Sequence, residues 1–131
     1  MFLGTFTPKL LNTGQMSLPA KIRNGLTGER AILTSGFETC VYGFSHEEWE
    51  KISTQELTKP LSTGEGRQIR RQMFGMATEV ELDDQGRFVV PEFLRAYAKL
   101  SENVLVIGAG DHFEIWNEAE FTRISNEVTR T

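Results

Sequence analysis

The sequence has little from which covalent or metal chemistry could be built. It holds one cysteine and two histidines in 131 residues. A single cysteine, Cys40, excludes an internal disulfide and a cysteine-based zinc site. His46 and His112 lie far apart and have no motif partner. Gly108-Ala-Gly110 has two glycines of a dinucleotide fingerprint but lacks the third, and a strand pattern follows it instead of a helix. No nucleophile–base set emerges, so the chain is expected to be neither an enzyme nor a cofactor carrier. Long apolar runs are missing too: none approaches the roughly 18 residues that span a bilayer. The start, Met1-Phe-Leu-Gly-Thr-Phe-Thr-Pro-Lys9, has no basic region or long apolar core, so it does not read as a signal peptide. The expectation is a cytoplasmic protein with no membrane partner. Positive charge is also short, with 14 Lys+Arg against 18 Asp+Glu and a net charge of −4. Taken whole, that leans against nucleic acid.

What the chain does have is an internal repeat. Leu10-Leu-Asn-Thr-Gly-Gln-Met-Ser-Leu-Pro-Ala-Lys-Ile-Arg23 resembles Leu82-Asp-Asp-Gln-Gly-Arg-Phe-Val-Val-Pro-Glu-Phe-Leu-Arg95 at an offset of 72 residues. The same offset pairs Met1-Phe2 with Met73-Phe74, Leu33 with Leu105, Gly36 with Gly108, Glu48 with Glu120 and Ile52-Ser53 with Ile124-Ser125, without a gap. Residues 1–59 thus correspond to residues 73–131, and residues 60–72 join them. Each copy reads as strand, hairpin, strand, short helix, two strands and a final helix. Asn12-Thr13-Gly14 and Asp84-Gln85-Gly86 suit three-residue hairpin loops that end in a left-handed glycine. Pro19 and Pro91 open short helices. Ser45-His-Glu-Glu48 and Asn117-Glu-Ala-Glu120 cap the final helices. A helix is expected in the linker, begun by Ser62-Thr-Gly-Glu65 and running to Phe74. Phe44, Trp49, Trp116 and Phe121 read as core aromatics beneath the final helices, and Cys40 as a small core residue. A unit of roughly 60 residues is marginal alone, so the copies are expected to share one core.

The charge is unevenly distributed. Residues 1–34 carry +3, residues 35–59 carry −3, the linker +2 and residues 73–131 carry −6. The first hairpin region and the linker are therefore basic, and a local basic face is what phosphate binding needs. An ordinary solvated surface gives the same pattern. Asp83 and Arg87 flank the second loop and should face each other as an ion pair. Arg87 either props up the hairpin or reaches a phosphate or guanine edge with its planar fork. The first copy has Leu11 and Gln15 there, so acid and base are missing together.

Arg70-Arg71, Phe74-Gly75, Glu79-Val-Glu-Leu-Asp83, Gly86-Arg87, Pro91, Leu94-Arg95 and Phe113-Glu-Ile-Trp116 resemble the MraZ family, as does the Met-Phe-Leu-Gly start. The resemblance covers nearly the whole chain. It implies an α+β fold of two tandem AbrB-like (SpoVT-type) swapped-hairpin units around a pseudo-two-fold small barrel. It implies a ring-shaped homo-oligomer that binds double-stranded promoter DNA at short direct repeats and represses its own division and cell wall operon, working at the nucleoid. The family's hairpin motif Asp-x-x-x-Arg is present as Asp83 to Arg87 and absent from the first copy. The residues expected to meet DNA are Lys9, Thr13, Gly14, Gln15, Lys21, Arg23, Asp83, Gly86 and Arg87, with Gln15 able to read adenine and Lys9, Lys21 and Arg23 able to hold phosphates. The competing reading is an assembly or partner-binding module, antitoxin-like, whose DNA binding is weakened by the degenerate first motif. An AbrB-like antitoxin is expected to have one hairpin unit and a toxin-binding tail, where this chain has two units and ends at Thr131.

Overall fold

The computed structural model describes residues 1–130, with side chains described through Glu127. The fold is mixed α+β, as the sequence suggests. The elements run β1 (Phe2–Phe6), β2 (Gln15–Ser17), α1 (Ala20–Arg23), β3 (Arg30–Ser35), β4 (Val41–Phe44), α2 (His46–Glu56) and α3 (Gly64–Ile69). After a π-helical turn (Arg70–Phe74) come β5 (Thr78–Glu81), β6 (Arg87–Val89), α4 (Glu92–Tyr97), β7 (Val104–Gly110), β8 (Phe113–Asn117) and α5 (Glu118–Arg130). Six strands form an antiparallel sheet in the order β1-β7-β8-β4-β3-β5, and β2 and β6 form a separate two-stranded ribbon.

This order is that of a tandem duplication with exchanged strands. The first copy's β1 lies on the second copy's β7, and the second copy's β5 lies on the first copy's β3. The ribbon pairs Met16 with Phe88, and β4 pairs with β8 so that Tyr42 faces Glu114. Both pairs join residues 72 apart, so a pseudo-two-fold axis passes through them. The central core mixes both copies: Phe2, Met16, Ile22, Leu33 and Val41 pack with Phe88, Leu94, Val106, Phe113 and Ile115.

Two expectations change. The segments flanking each loop do not continue as a hairpin. Asp83 N donates to Arg87 O at 3.0 Å, and Leu11 N to Gln15 O at 2.9 Å, and there the arms part. Pairing with the other copy buries Met16 and Phe88 at 2% and 4% exposure, a gain that the apolar burial term favours. The repeat also needs a gap. Ile32 pairs with Phe44 and Leu105 with Trp116, so β3 and β7 correspond at an offset of 73. The turn after α4 holds one residue more than its counterpart, and the β7–β8 turn one fewer. A one-residue slip turns a strand over. Val106, not Leu105, is therefore the buried mate of Leu33.

The linker helix begins one residue later than the Ser62 cap implied. Thr63 Oγ1 accepts from Gly66 N at 2.9 Å. The helix does not reach Phe74 as regular α-helix, because Gly75 N bonds to Arg70 O, a five-residue step. The linker covers the outer face of the first copy's strands. Ile69 and Met73 pack on Ile32 and Phe44, and the buried hydroxyls of Thr34 and Ser35 donate to Met73 O and Gln72 O at 2.6 and 2.9 Å. Ser45 caps α2 through a 3.2 Å bond from Glu48 N, Trp116 is buried against Phe121, and Cys40 is fully buried, its thiol pushed up by that burial. Among the described residues, no helix is long and apolar enough to cross a membrane.

Candidate nucleic-acid interface

The site grows out of alternation in two short strands. In β2 and β6, Met16 and Phe88 point inward, so Gln15, Ser17, Arg87 and Val89 must point outward. The register sets Gln15 beside Val89 and Ser17 beside Arg87. Ser17, Arg87 and Val89 are exposed and Gln15 is half-buried. The two outward rungs lie about 7 Å apart along the strands. The ladder continues at both ends, where Val90 N bonds to Gly14 O and Leu18 N to Gly86 O, each at 2.9 Å. The two loops therefore flank the ribbon at opposite ends.

The second loop is built around Asp83. Its Oδ1 accepts from the backbone N–H groups of Gln85 and Arg87, each at 2.9 Å, and its Oδ2 accepts from Arg87 Nε at 2.7 Å. The Arg87 backbone bond, with the guanidinium and Gln85 bonds, holds the Asp83 carboxyl below its usual range. The expected pair thus both shapes the turn and orients the arginine. The terminal amino groups of Arg87 make no hydrogen bond among the described residues. Gly86 closes the turn with φ +76°, where a β-carbon would be strained.

The first loop has the same backbone path, with Gly14 at φ +91°. Its chemistry is thinner. Leu11 stands where Asp83 would be and is 53% exposed. Leu11 O still accepts from Gly14 N at 2.9 Å, but the side-chain acceptor for Gln15 N among the described residues is Thr13 Oγ1, at 3.4 Å.

The remaining expected residues scatter. Lys21 is exposed on α1. The ammonium of Lys9 is bonded to the Asn103 side chain, and its backbone bridges to the same residue. Arg23 is engaged at the second loop: its Nε lies 3.0 Å from Glu29 Oε2 and its Nη2 donates to Asp84 O at 2.7 Å. Ser17 and Val89 share the outward face but were not singled out in the sequence, because a local hairpin would set β6 against β5. Arg95 was also missed. Its guanidinium lies over Gly14, where an added β-carbon would come within 2.8 Å. The signal was its match to Arg23 in the repeat.

An exposed two-stranded antiparallel ribbon has the cross-section that a DNA major groove admits. Arginine and glutamine on its outer face are the side chains that bond guanine and adenine edges in two places.

Comparison with known proteins converges on one family. The family model described as "MraZ protein, putative antitoxin-like" matches residues 1–72 and again residues 73–131. A protein of Roseiflexus castenholzii (strain DSM 13941 / HLO8) named "Transcriptional regulator MraZ" is 34% identical over 124 residues, covering 95% of this chain and 86% of the relative. One of Roseiflexus sp. (strain RS-1), with the same name, is 36% identical over 116 residues, covering 88% of this chain and 80% of the relative.

Proposed function

This chain belongs to the MraZ family, and on that premise we propose that it is a sequence-specific DNA-binding transcriptional regulator. The observation that carries the proposal is the outward face of the β2·β6 ribbon, with Arg87 oriented by Asp83 at one end and Gln15 at the other. Inserted in a major groove, Arg87 bonds a guanine edge or a phosphate, Gln15 an adenine edge, and Lys21 a neighbouring phosphate. Its target in this reading is the promoter of its own division and cell wall operon, which it represses from short direct repeats in the cytoplasm, at the nucleoid. The working form is a ring-shaped homo-oligomer. One ribbon offers few contacts, and several ribbons on successive repeats multiply them through effective concentration.

A second reading, an assembly or partner-binding module with weak DNA binding, draws support from the first loop. There an exposed Leu11 replaces the acid and Gln15 the arginine. One experiment separates the two: promoter-DNA binding with a salt titration, on a sample of measured mass. The regulator reading expects preference for the promoter over scrambled DNA and affinity that falls steeply with salt through counterion release. Equal binding to both DNAs, or none at low salt, rejects it.

A further inference from the structure

We propose that Arg23 is a positioning residue, a clamp by which the first copy holds the DNA-reading loop of the second copy in one shape. The proposal rests on the DNA-binding reading for its consequence, but not for its structural content.

The loop from Asp83 to Arg87 is tied from two sides. From within, Asp83 takes three of the four turn amides: Gln85 N and Arg87 N through its carboxylate, and Gly86 N through its carbonyl at 2.9 Å. From outside, Arg23 donates Nη2 to the carbonyl of Asp84, 61 residues away, at 2.7 Å. Its stem covers the face of Gly86, where an added β-carbon would stand 3.1 Å from Arg23 Cδ. Glu29 fixes the guanidinium from behind at 3.0 Å. The side chain is only 26% exposed. With Nε and Nη2 engaged, two of its five N–H donors are committed to the protein rather than to a phosphate.

The pseudo-symmetric half provides a built-in contrast. Arg95 corresponds to Arg23. Glu102 corresponds to Glu29, since each gives its carbonyl to the residue that opens the opposite loop: Leu82 N to Glu29 O at 2.8 Å, Leu10 N to Glu102 O at 3.0 Å. Yet Arg95 Nε turns to Val90 O, at 2.9 Å. It forms no bond to the loop carbonyls of residues 11–14 and none to Glu102 among the described residues. A cleft of about 740 Å³, lined by Leu11, Asn12, Arg95 and Glu102 among others, opens beside this loop. The hydrogen-bonded clamp therefore exists once. It acts on the loop that keeps Asp83 and Arg87, while at the first loop Arg95 packs over Gly14 without a bond to a loop carbonyl. A side chain held before binding spends less of its interaction energy on ordering, so recognition through Arg87 depends on a residue that itself touches no base.

The test uses the full chain with Arg23→Gln, Arg23→Lys, Glu29→Gln and Arg95→Gln. Two measurements are made: amide hydrogen exchange without DNA, and binding to promoter and scrambled DNA across a salt series. Arg23→Gln is expected to speed exchange at Gln85, Gly86 and Arg87 by about tenfold. Residues 13–15 keep their protection, and Arg95→Gln leaves residues 85–87 unchanged. Promoter preference falls, and the slope of log affinity against log salt stays that of the parent. Arg23→Lys restores part of the protection. Unchanged exchange at residues 85–87 overturns the clamp, whatever the DNA result. A salt slope lower by about one unit with exchange unchanged makes Arg23 a phosphate contact instead. If Arg23→Gln does not fold, Glu29→Gln decides, because it leaves Arg23 in place and removes the negative charge that holds its Nε. A smaller rise at residues 85–87 supports the clamp and no rise rejects it. Failure of the DNA reading shows separately, as a parent protein that does not distinguish the two DNAs.

Discussion

Arg87 and Gln15 occupy matching positions in the repeat and differ in what holds them. Arg87 is anchored through Nε to Asp83, whereas the Gln15 side chain has no such partner among the described residues and sits half-buried beside Val89. Arg87→Ala is therefore expected to lower promoter affinity by about 1–3 kcal/mol and to relax base preference. Gln15→Ala is expected to cost less, as read from competition binding against single-base operator variants. A second residue-scale expectation lies on the other side of the sheet. His112 Nε2 is 2.9 Å from Glu114 Oε2 and its Nδ1 is 2.7 Å from Asp111 Oδ1, and Trp116 Nε1 donates to Glu114 Oε1 at 2.8 Å. Burial pushes the imidazole pKa down, but the two carboxylates outweigh it and the net shift is upward. Burial likewise pushes Glu114 up, and the bonds from His112 and Trp116 outweigh it, so its net shift is downward. A raised histidine stabilises the fold fully below its unfolded value of about 6.5 and loses that contribution as pH rises through the higher folded value. A depressed carboxylate stabilises above its ordinary value and loses it as pH falls through the lower one. The pair should thus contribute most between those limits. Urea denaturation of His112→Gln near pH 6 is expected to show a loss of about 1–3 kcal/mol that shrinks at pH 9. Equal losses at both pH values would mean the pair is not what titrates.

At the scale of elements, the linker helix gives a test of opposite signs two residues apart. A β-carbon on Gly64 would meet nothing within 4 Å, whereas one on Gly66 would fall 2.0 Å from Pro60 O. Gly64→Ala should stabilise by about 0.4–1 kcal/mol, by restricting the unfolded chain. Gly66→Ala should destabilise by about 1–3 kcal/mol, because backbone must move. Denaturation midpoints of the two variants check this directly. The exchanged strand is similarly exposed to test: Gly108 lets β7 approach β1, with an added β-carbon only 2.4 Å from Leu3 N. The elements were largely legible because their signals are local. Capping at Ser45, proline at the helix starts and glycine at the loop ends each depend on neighbours in the chain. The π-helical turn was not legible, because its cause is packing. Met73 and Phe74 must reach the sheet cluster while the carbonyls of Gln72 and Met73 meet Ser35 and Thr34.

For the whole molecule, the exchanged β1 and β5 make each copy a poor domain by itself. The first copy alone would leave β1 without its partner, and Met16 without Phe88. Residues 1–72 and residues 73–131, made separately, are expected to be unfolded or to form homodimers, never folded monomers. An equimolar mixture should recover the circular dichroism of the intact chain and a shared elution peak. Two halves that fold independently as monomers would contradict the shared core. The uneven charge acts at this scale too. The net −4 does not oppose DNA binding where Lys21 and Arg87 lie on or near the ribbon. The acids of the second copy still repel phosphate, and this supports the expectation that affinity at physiological salt needs several ribbons at once.

The sequence by itself determined what short-range physics controls: the duplication, the α+β class, the loop glycines, the helix caps and the Asp83–Arg87 pair, whose partners are four residues apart. It also carried the family resemblance, through motifs that are contiguous in the chain. Only the tertiary structure decided which strands pair. A strand's apolar face is satisfied equally by a near or a far partner, and burial of Met16 against Phe88 selects the far one. That choice placed Ser17 and Val89 beside Gln15 and Arg87, moved Val106 into the place that a gapless match gave to Leu105, and brought Arg23 to a carbonyl 61 residues away.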